Sequence, residues 1–234
     1  QPGRHAGSDR ALDLVQGPPD PDPPIPDVLI GRIVCERQSE EGRELAQLVA
    51  RRPSGDAVVW PLVQTVQRDS ICAEVLAPAP HASRIQPLVD DIARSIAEGL
   101  QVTGVLAVEM FETDDGRVLV NELAMRPHNS GHWTIDGSVT SQFEQHLRAV
   151  LDLPLGSTAI LAPASVMINV IGGPASGAMA DRYASALASH PDVKVHSYAK
   201  ATRPGRKVGH VTAIGDDMDE VAYRARAAAA HFDA

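Results

Sequence analysis

A predicted β-hairpin carries the residues with the clearest potential for chemistry. Residues 105–113 and 117–122 are both rich in strand-forming side chains, and Asp115-Gly116 between them is a strong signal for a two-residue turn. If Asp114 pairs with Arg117, counting back along both strands sets each residue of the first strand opposite a defined residue of the second. The hairpin register therefore decides which side chains can act together.

Glu109 and Glu122 face each other in this register, which indicates a metal site. Two carboxylates about 5 Å apart repel each other unless a cation lies between them. Together with the side-chain oxygen of Asn121 they suit a hard divalent ion that keeps its other positions for water and phosphate, and we predict magnesium. The alternatives are that Glu109 points to solvent while Glu122 caps the next turn, or that the register slips by one residue.

A dense group of polar side chains follows the hairpin in residues 123–134. Arg126 can donate a charge-assisted pair of hydrogen bonds to phosphate or carboxylate. His128, Asn129 and His132 can orient a small polar substrate. Because reactive groups are commonly held on loops by a rigid scaffold, this segment is a candidate substrate-binding loop. A polar surface loop without function is the alternative.

Four cations lie close together near the C-terminus of an otherwise acidic chain. Pro204-Gly205 predicts a turn, and the cations around it could clasp a phosphate monoester; they are Lys200, Arg203, Arg206 and Lys207. The formal net charge is -9 and acidic residues are spread along the sequence, which argues against a broad surface for nucleic acid or anionic membrane. On charge alone, a solvated basic loop is the alternative.

The elements that must position these residues have an α+β pattern built on antiparallel strands. Apolar alternation and turn signals predict strands at 28–35, 44–51, 57–67, 105–113, 117–122, 164–171, 193–198 and 209–214. Helical spacing predicts helices around 87–99, 141–151, 180–189 and from 218 to the C-terminus.

Changes in composition predict three parts of the chain. Residues 1–26 are rich in Pro, Gly and Asp without apolar periodicity, which is typical of a disordered tail. Residues 27–155 form a first α+β lobe, and residues 156–234 form a small C-terminal domain after the punctuation at Pro154 and Gly156.

The cysteine content and the apolar runs favour a cytoplasmic protein. Cys35 and Cys72 fit neither a disulfide framework nor a zinc cluster. The sequence has no signal-like apolar segment and no long apolar run.

Two motifs resemble the signatures of one enzyme family. Residues 121–124, Arg126, residues 128–133 and residues 141–144 resemble the signature of the 5-(carboxyamino)imidazole ribonucleotide synthases, which are ATP-grasp ligases of purine biosynthesis, and residues 203–210 resemble that family's second signature. The resemblance implies an ATP-grasp C-terminal lobe, an antiparallel sheet with helices, followed by a small β-rich domain. It also implies carboxylation of 5-aminoimidazole ribonucleotide with ATP and bicarbonate, through carboxyphosphate.

The same resemblance implies roles for the candidate residues. Glu109 and Glu122 would hold magnesium on the ATP phosphates. The substrate site would be lined by Arg126, His128, Asn129 and Ser130, with the first three in the catalytic group, and the 5'-phosphate would be bound by Lys200, Arg203, Arg206 and Lys207. Glu36 would lie at the adenine edge, Glu44 at the ribose, and Asn121 near the nucleotide; an exposed acidic loop is the alternative for the first two.

The resemblance extends from about Ile33 to the C-terminus. Complete members of the family would carry a doubly wound N-terminal domain and a small lobe with a glycine-rich loop, so we expect a chain that lacks these parts and is inactive alone. A non-catalytic module that binds a phosphorylated ligand, and a different ATP-grasp ligase, are the alternatives. Analogy with the family also implies a homodimer, while the acidic composition predicts no nucleic-acid or membrane partner.

Overall fold

The computed structural model describes residues 42–232, which form one antiparallel sheet with helices. The strands are β1 Arg43–Arg51, β2 Ala57–Val59, β3 Val63–Arg68, β4 Ile71–Ala77, β5 Gly104–Glu112, β6 Val118–Ala124, β7 Ala164–Ile171, β8 Lys194–Ser197 and β9 Lys207–Gly215. The helices are α1 Gln86–Gly99, α2 Thr134–Gly137, α3 Gln142–Val150, α4 Tyr183–Ser189 and α5 Met218–Ala229. No helix within this range is long and apolar enough to cross a membrane.

The strands follow the order β6-β5-β1-β3-β4-β7-β9-β8, and β2 pairs with the far end of β1. This arrangement confirms the predicted α+β fold with antiparallel strands. The sheet is continuous across the expected boundary near residue 155, because β4 and β7 pair directly. The division into two lobes therefore stays a prediction, while the predicted tail and the strand at 28–35 lie outside the described residues.

Both faces of the sheet are buried around β1 and β5. Alternate residues of these strands pack beneath α1, whose buried face includes Val89, Ala93 and Ile96. The residues between them pack on the opposite face against Trp133, which lies near the end of the polar loop. This period of two is what a strand buried on both faces produces, and it brings the polar loop onto one defined face of the hairpin.

The hairpin of β5 and β6 confirms the predicted pairing of Glu109 with Glu122, although its turn differs from the predicted one. The amide of Thr113 donates to the carbonyl of Arg117 at 2.9 Å, so the turn has three residues and not two. That turn alone would set Asn121 opposite Glu109. Instead, Asn121 forms a β-bulge, and the extra residue restores the acidic pair.

The bulge also separates the apolar and acidic residues of β6. Val120 lies opposite Met110, and both pack in the core beneath α1. In a regular strand Val120 and Glu122 would share one face, because side chains alternate with a period of two. With the extra residue between them, Glu122 lies with Glu109 on the face that carries the polar loop.

Candidate functional site

An acidic centre forms where β1, β3, β5 and β6 meet. Glu109 is half-buried, and its pKa is raised above the usual range by burial first and then by the charges of Glu122 and Glu44. Glu44 accepts a hydrogen bond from Nε2 of Gln67 at 2.5 Å and a longer one from Oγ1 of Thr65 at 3.4 Å. Glu44 and Glu122 are therefore close enough to Glu109 to disfavour its ionised form.

A cavity of about 250 Å³ opens at this acidic centre. Its lining includes Glu44, Glu109 and Asn121, so three of the residues proposed for nucleotide and metal share one space, whereas Glu122 does not line it. The donor set, carboxylate oxygens with an amide oxygen, suits magnesium. The pKa of Glu109, raised by burial first, fits as well, because a cation among these groups would relieve the additional repulsion from Glu122 and Glu44.

His128 connects the polar loop to this acidic centre. Its Nε2 lies 3.9 Å from Oε1 of Glu109, and its Nδ1 lies 2.9 Å from Oγ of Ser130. The pKa of His128 is lowered to about 4 by burial first, and then by the charges of Arg126 and Lys207. His128 is therefore neutral at physiological pH. Ser130 is buried and contacts this ring, so its observed contact orients His128.

Gln142, at the start of α3, holds the polar loop in place. Its Oε1 accepts from the amide of His128 at 2.8 Å, and its Nε2 donates to the carbonyl of His128 at 2.7 Å. The same Nε2 lies 2.8 Å from Nδ1 of His132, which leaves the proton of this ring on Nε2. The sequence signal for Gln142 was its place in the motif at 141–144, but its role as a clamp was not predicted.

Lys207 is the member of the basic cluster that reaches the polar loop. Its Nζ donates to Oδ1 of Asn129 at 3.1 Å, across 78 positions of the sequence. Asn129 is also bonded to Asn169 on β7, a residue that the sequence analysis did not single out. Lys207 acts electrostatically on Glu109, where it opposes the raised pKa. The acidic centre and part of the basic cluster therefore lie close together.

The other three cations lie around the turn before β9. Lys200 and Arg203 are exposed and Arg206 is partly exposed. The ammonium group of Lys200 lies 5.1 Å from the centre of the Tyr198 ring. Within residues 42–232 none of these three cations forms an ion pair with a carboxylate, so their charges are available to an anionic ligand. Lys207 stands apart from them, because it contacts Asn129.

The predicted site residues also include Arg126 and Glu36. Arg126 is exposed, and its Nη1 donates to the carbonyl of Pro127 at 3.2 Å. Its charge acts on both Glu109 and His128, which places it beside the acidic centre. Glu36 lies outside the described residues, so its predicted place at the adenine edge stays a prediction.

A second group of possible metal ligands consists of Asp136, His196 and His210, whose ligand atoms lie within 4.8 Å of one another. His196 Nε2 is 2.7 Å from Oδ2 of Asp136, which is a hydrogen bond. The rings of His196 and His210 are stacked with centroids 4.6 Å apart, so their nitrogen lone pairs run side by side and do not converge. These contacts favour a packed and hydrogen-bonded group over a metal site.

Comparison with known families agrees with this geometry. The model of the ATP-grasp domain matches residues 29–143, and the model of the phosphoribosylaminoimidazole carboxylase C-terminal domain matches residues 165–224. The first match contains the acidic pair and the polar loop, and the second contains β7, β9 and the basic cluster. The chain belongs to the ATP-grasp family. The regions matched by the two family models lie on either side of the predicted boundary near residue 155.

Curated relatives of this ATP-grasp chain include several bacterial enzymes of one name. The N5-carboxyaminoimidazole ribonucleotide synthase of Mycobacterium bovis is 53% identical over 206 residues, which cover 84% of this chain and 47% of the relative. That of Corynebacterium ammoniagenes is 49% identical over 205 residues, which cover 84% of this chain and 49% of the relative. The chain thus spans about half the length of the curated relatives it matches.

Solved structures give the same picture for the fold. The N5-carboxyaminoimidazole synthase of Aspergillus clavatus in complex with ADP and 5-aminoimidazole ribonucleotide is 38% identical, with a TM-score of 0.73, and the match covers 81% of this chain and 50% of that one. The synthetase of Thermus thermophilus is 41% identical, with a TM-score of 0.69, and the match covers 81% and 49%.

Proposed function

We propose that this chain supplies the magnesium- and ribonucleotide-binding parts of an ATP-dependent ligase that carboxylates 5-aminoimidazole ribonucleotide. The observation that carries the proposal is that the paired acids Glu109 and Glu122 lie on the same face of the sheet as His128, Asn129 and Lys207. Acidic side chains alone would be compatible with any metal site, and basic side chains alone would be compatible with any phosphate-binding site. Their combination suits a reaction between a metal-bound triphosphate and a phosphorylated substrate.

The proposed reaction has two steps. A bicarbonate oxygen attacks the terminal phosphorus of ATP, which gives carboxyphosphate and releases ADP. The substrate amine then attacks the carboxyl carbon, phosphate leaves, and the amine loses one proton. Glu109 and Glu122 would hold magnesium, which withdraws charge from the phosphate oxygens when bound. We assign Glu44 and Asn121 to the nucleotide side, because they line the same cavity as Glu109.

The polar loop would act on the anionic reactants. Arg126 stabilises developing carboxylate and phosphate charge. Neutral His128, with Ser130 on its Nδ1, and Asn129 position bicarbonate against the amine. Lys200, Arg203 and Arg206 anchor the 5'-phosphate, since they are accessible and have no carboxylate partner among the described residues. Lys207 lies between this anchor and the loop, through its bond to Asn129.

Calorimetry with two variants tests the separation of the sites. Glu122→Gln should abolish magnesium-dependent binding of ATP. Arg206→Ala should weaken the binding of 5-aminoimidazole ribonucleotide by about tenfold and leave the binding of ATP nearly unaffected. Glu98→Gln, an exposed glutamate on α1, serves as the control and should change neither. Equal effects of Glu122→Gln and Arg206→Ala on both ligands would contradict two separate sites.

A second candidate function is a non-catalytic module that binds the phosphorylated ligand without turning over ATP. The observation that favours it is that Lys200, Arg203 and Arg206 have no carboxylate partner among the described residues, so they could bind a phosphate without the acidic centre. Phosphate release from ATP that depends on both bicarbonate and the ribonucleotide would establish the ligase. Binding of the ribonucleotide without binding of magnesium-ATP would favour the module.

We also propose that the chain forms a homodimer and works in the cytoplasm. The surface of α3 supports the dimer. This helix buries Gln142, Gln145 and Ala149, whereas a stripe of apolar side chains on it is exposed. This α3 stripe consists of Phe143, Leu147, Val150 and Leu151. Glu144 and Arg148 flank it, so two antiparallel copies would set unlike charges opposite each other.

A further inference from the structure

We propose that Asn169 is a positioning residue, which fixes the side-chain amide of Asn129 so that Asn129 and Lys207 offer a ligand only hydrogen-bond donors. Asn169 lies on β7, opposite His210 of β9, and is 5% exposed. It therefore acts through Asn129. The proposal deepens the function proposed above and rests on it for the identity of the ligand.

Asn129 and Asn169 form a reciprocal pair of amides. Nδ2 of Asn129 donates to Oδ1 of Asn169 at 2.9 Å, and Nδ2 of Asn169 donates to Oδ1 of Asn129 at 2.8 Å. Such a pair has two orientations, because exchanging nitrogen and oxygen in both side chains keeps both bonds. The pair alone would leave the direction of Asn129 undecided.

Two outside groups select the same orientation. Nδ2 of Asn169 also donates to the backbone carbonyl of Cys72 at 2.9 Å, and a carbonyl can only accept. At the other end, Nζ of Lys207 donates to Oδ1 of Asn129 at 3.1 Å, and an ammonium group can only donate. The reversed orientation would oppose two oxygens at Cys72 and two donors at Lys207.

The consequence is a donor-only surface at the polar loop. Oδ1 of Asn129 already accepts two hydrogen bonds, and one N–H of its Nδ2 is used on Asn169. The remaining N–H of this side-chain amide is the group that can bind a ligand. Lys207 has used one of the three N–H groups of its ammonium on Asn129. This set suits an anionic oxygen, such as that of bicarbonate or of the phosphorylated substrate, and it disfavours a cation.

The amide pair also joins two distant parts of the sequence. Asn129 follows the hairpin, while Asn169 and Lys207 belong to neighbouring strands on the other side of the predicted boundary. Because β7 is a central strand, its side chain gives the loop a fixed reference. Loss of Asn169 should free Asn129 to rotate without moving Glu109 or Glu122, which lie on other strands.

Hydrogen exchange of the Asn129 side-chain amide, followed by NMR without any ligand, tests the positioning itself. Asn169→Leu should speed this exchange by at least about tenfold, because its bonds to Asn129 are lost. Ser165→Ala, an equally buried polar position on β7, should leave it unchanged. If the leucine variant does not fold, Asn169→Ala removes the same hydrogen bonds to Asn129 with a smaller side chain. An unchanged exchange rate in a folded Asn169 variant would overturn the proposal.

Calorimetry with 5-aminoimidazole ribonucleotide then tests the link to function. Asn169→Leu should weaken binding by about tenfold in the natural background and by less than about twofold in Asn129→Ala, because a residue that acts through another is not additive with it. Additive losses would overturn the proposal. If the unaltered chain binds no ribonucleotide, the proposed function fails, while the exchange experiment still decides whether Asn169 positions Asn129.

Discussion

At Glu109, burial and the two neighbouring carboxylates act in the same direction. Burial disfavours the charged carboxylate, and the charges of Glu122 and Glu44 add to that effect, so the pKa of Glu109 is raised. His128 shows the complementary case, because burial and two nearby cations lower its pKa to about 4. The site therefore brings an acid that ionises reluctantly beside an imidazole that stays neutral.

Replacement of Glu122 should show this coupling directly. Glu122→Gln removes one negative charge from the surroundings of Glu109, so the pKa of Glu109 should fall towards its usual value. A ¹³C NMR titration of the carboxyl groups without magnesium measures this. Glu98→Gln provides the control on α1. A pKa of Glu109 that stays unchanged in Glu122→Gln would contradict the facing arrangement of the two acids.

Buried histidines should make the protein less stable in acid. The pKa of His132 is lowered to about 4 and that of His210 to about 3, mainly by burial. Unfolded histidines bind protons below about pH 6.5, so the stability that these groups contribute is present above that pH and is lost as the pH falls towards 4. Glu109 has the opposite effect. Because its pKa is raised in the folded state, the stability that it contributes is present below about pH 4.5 and is lost as the pH rises above that value.

Urea unfolding at pH 7, 6, 5 and 4 measures this dependence. In His132→Asn, the new side-chain oxygen can accept from Gln142 in place of Nδ1. The free energy of unfolding of this variant should fall less between pH 7 and pH 4 than that of the unaltered chain. His81→Asn, at an exposed histidine, is the control. Identical profiles for His132→Asn and the unaltered chain would contradict the role assigned to His132.

At the scale of elements, the C-terminal helix is attached to the sheet by a buried acid. Glu74 on β4 is 1% exposed, and it accepts three hydrogen bonds from Arg226 of α5, the shortest at 2.7 Å, and another from Arg68. The contact joins β3, β4 and α5 at the point where the sheet passes from one family match to the other. Removing one partner of a buried charge leaves the other poorly compensated.

Arg226→Ala should therefore lower the free energy of unfolding by about 2 kcal/mol. Arg148→Ala breaks the i,i+4 pair with Glu144 on the surface of α3 and should cost no more than about 0.5 kcal/mol. Urea denaturation compares the two arginines in the same chain. Equal losses would show that the burial of Glu74 does not strengthen its ion pairs.

At the scale of the whole molecule, the most unusual surface is the α3 stripe. Leu147 at its centre is 59% exposed, while the polar Gln142 and Gln145 of the same helix are buried. An exposed apolar stripe on an otherwise packed helix is typical of a surface that another chain covers. The proposed homodimer gives this surface a partner, namely the same stripe of a second copy.

Leu147→Asp should convert the dimer to a monomer, because it places charge at the centre of the stripe. Sedimentation velocity across a range of concentrations measures the change. Leu187→Asp, at an exposed leucine on α4, is the matched control and should remain dimeric. A monomeric unaltered chain at every concentration would contradict the homodimer.

The sequence by itself determined the elements whose periods and caps are local. The strands at Arg43–Arg51 and Ala164–Ile171, the helix Gln86–Gly99 and the pairing of Glu109 with Glu122 were all predictable, because alternation, helical spacing and turn residues lie close together in the chain. The two motifs indicated the family for the same reason. The hairpin register was right although its turn was not, since the bulge at Asn121 offsets the longer turn.

Only the tertiary structure decided how these pieces meet. Nothing local in the sequence connects Asn129 to Asn169 and Lys207, because those contacts depend on β7 and β9 lying beside the polar loop. The separation of Lys207 from its basic neighbours has the same origin, since a strand sends adjacent residues to different surroundings. Burial, which sets the pKa of Glu109 and His128, likewise arises from packing between distant segments.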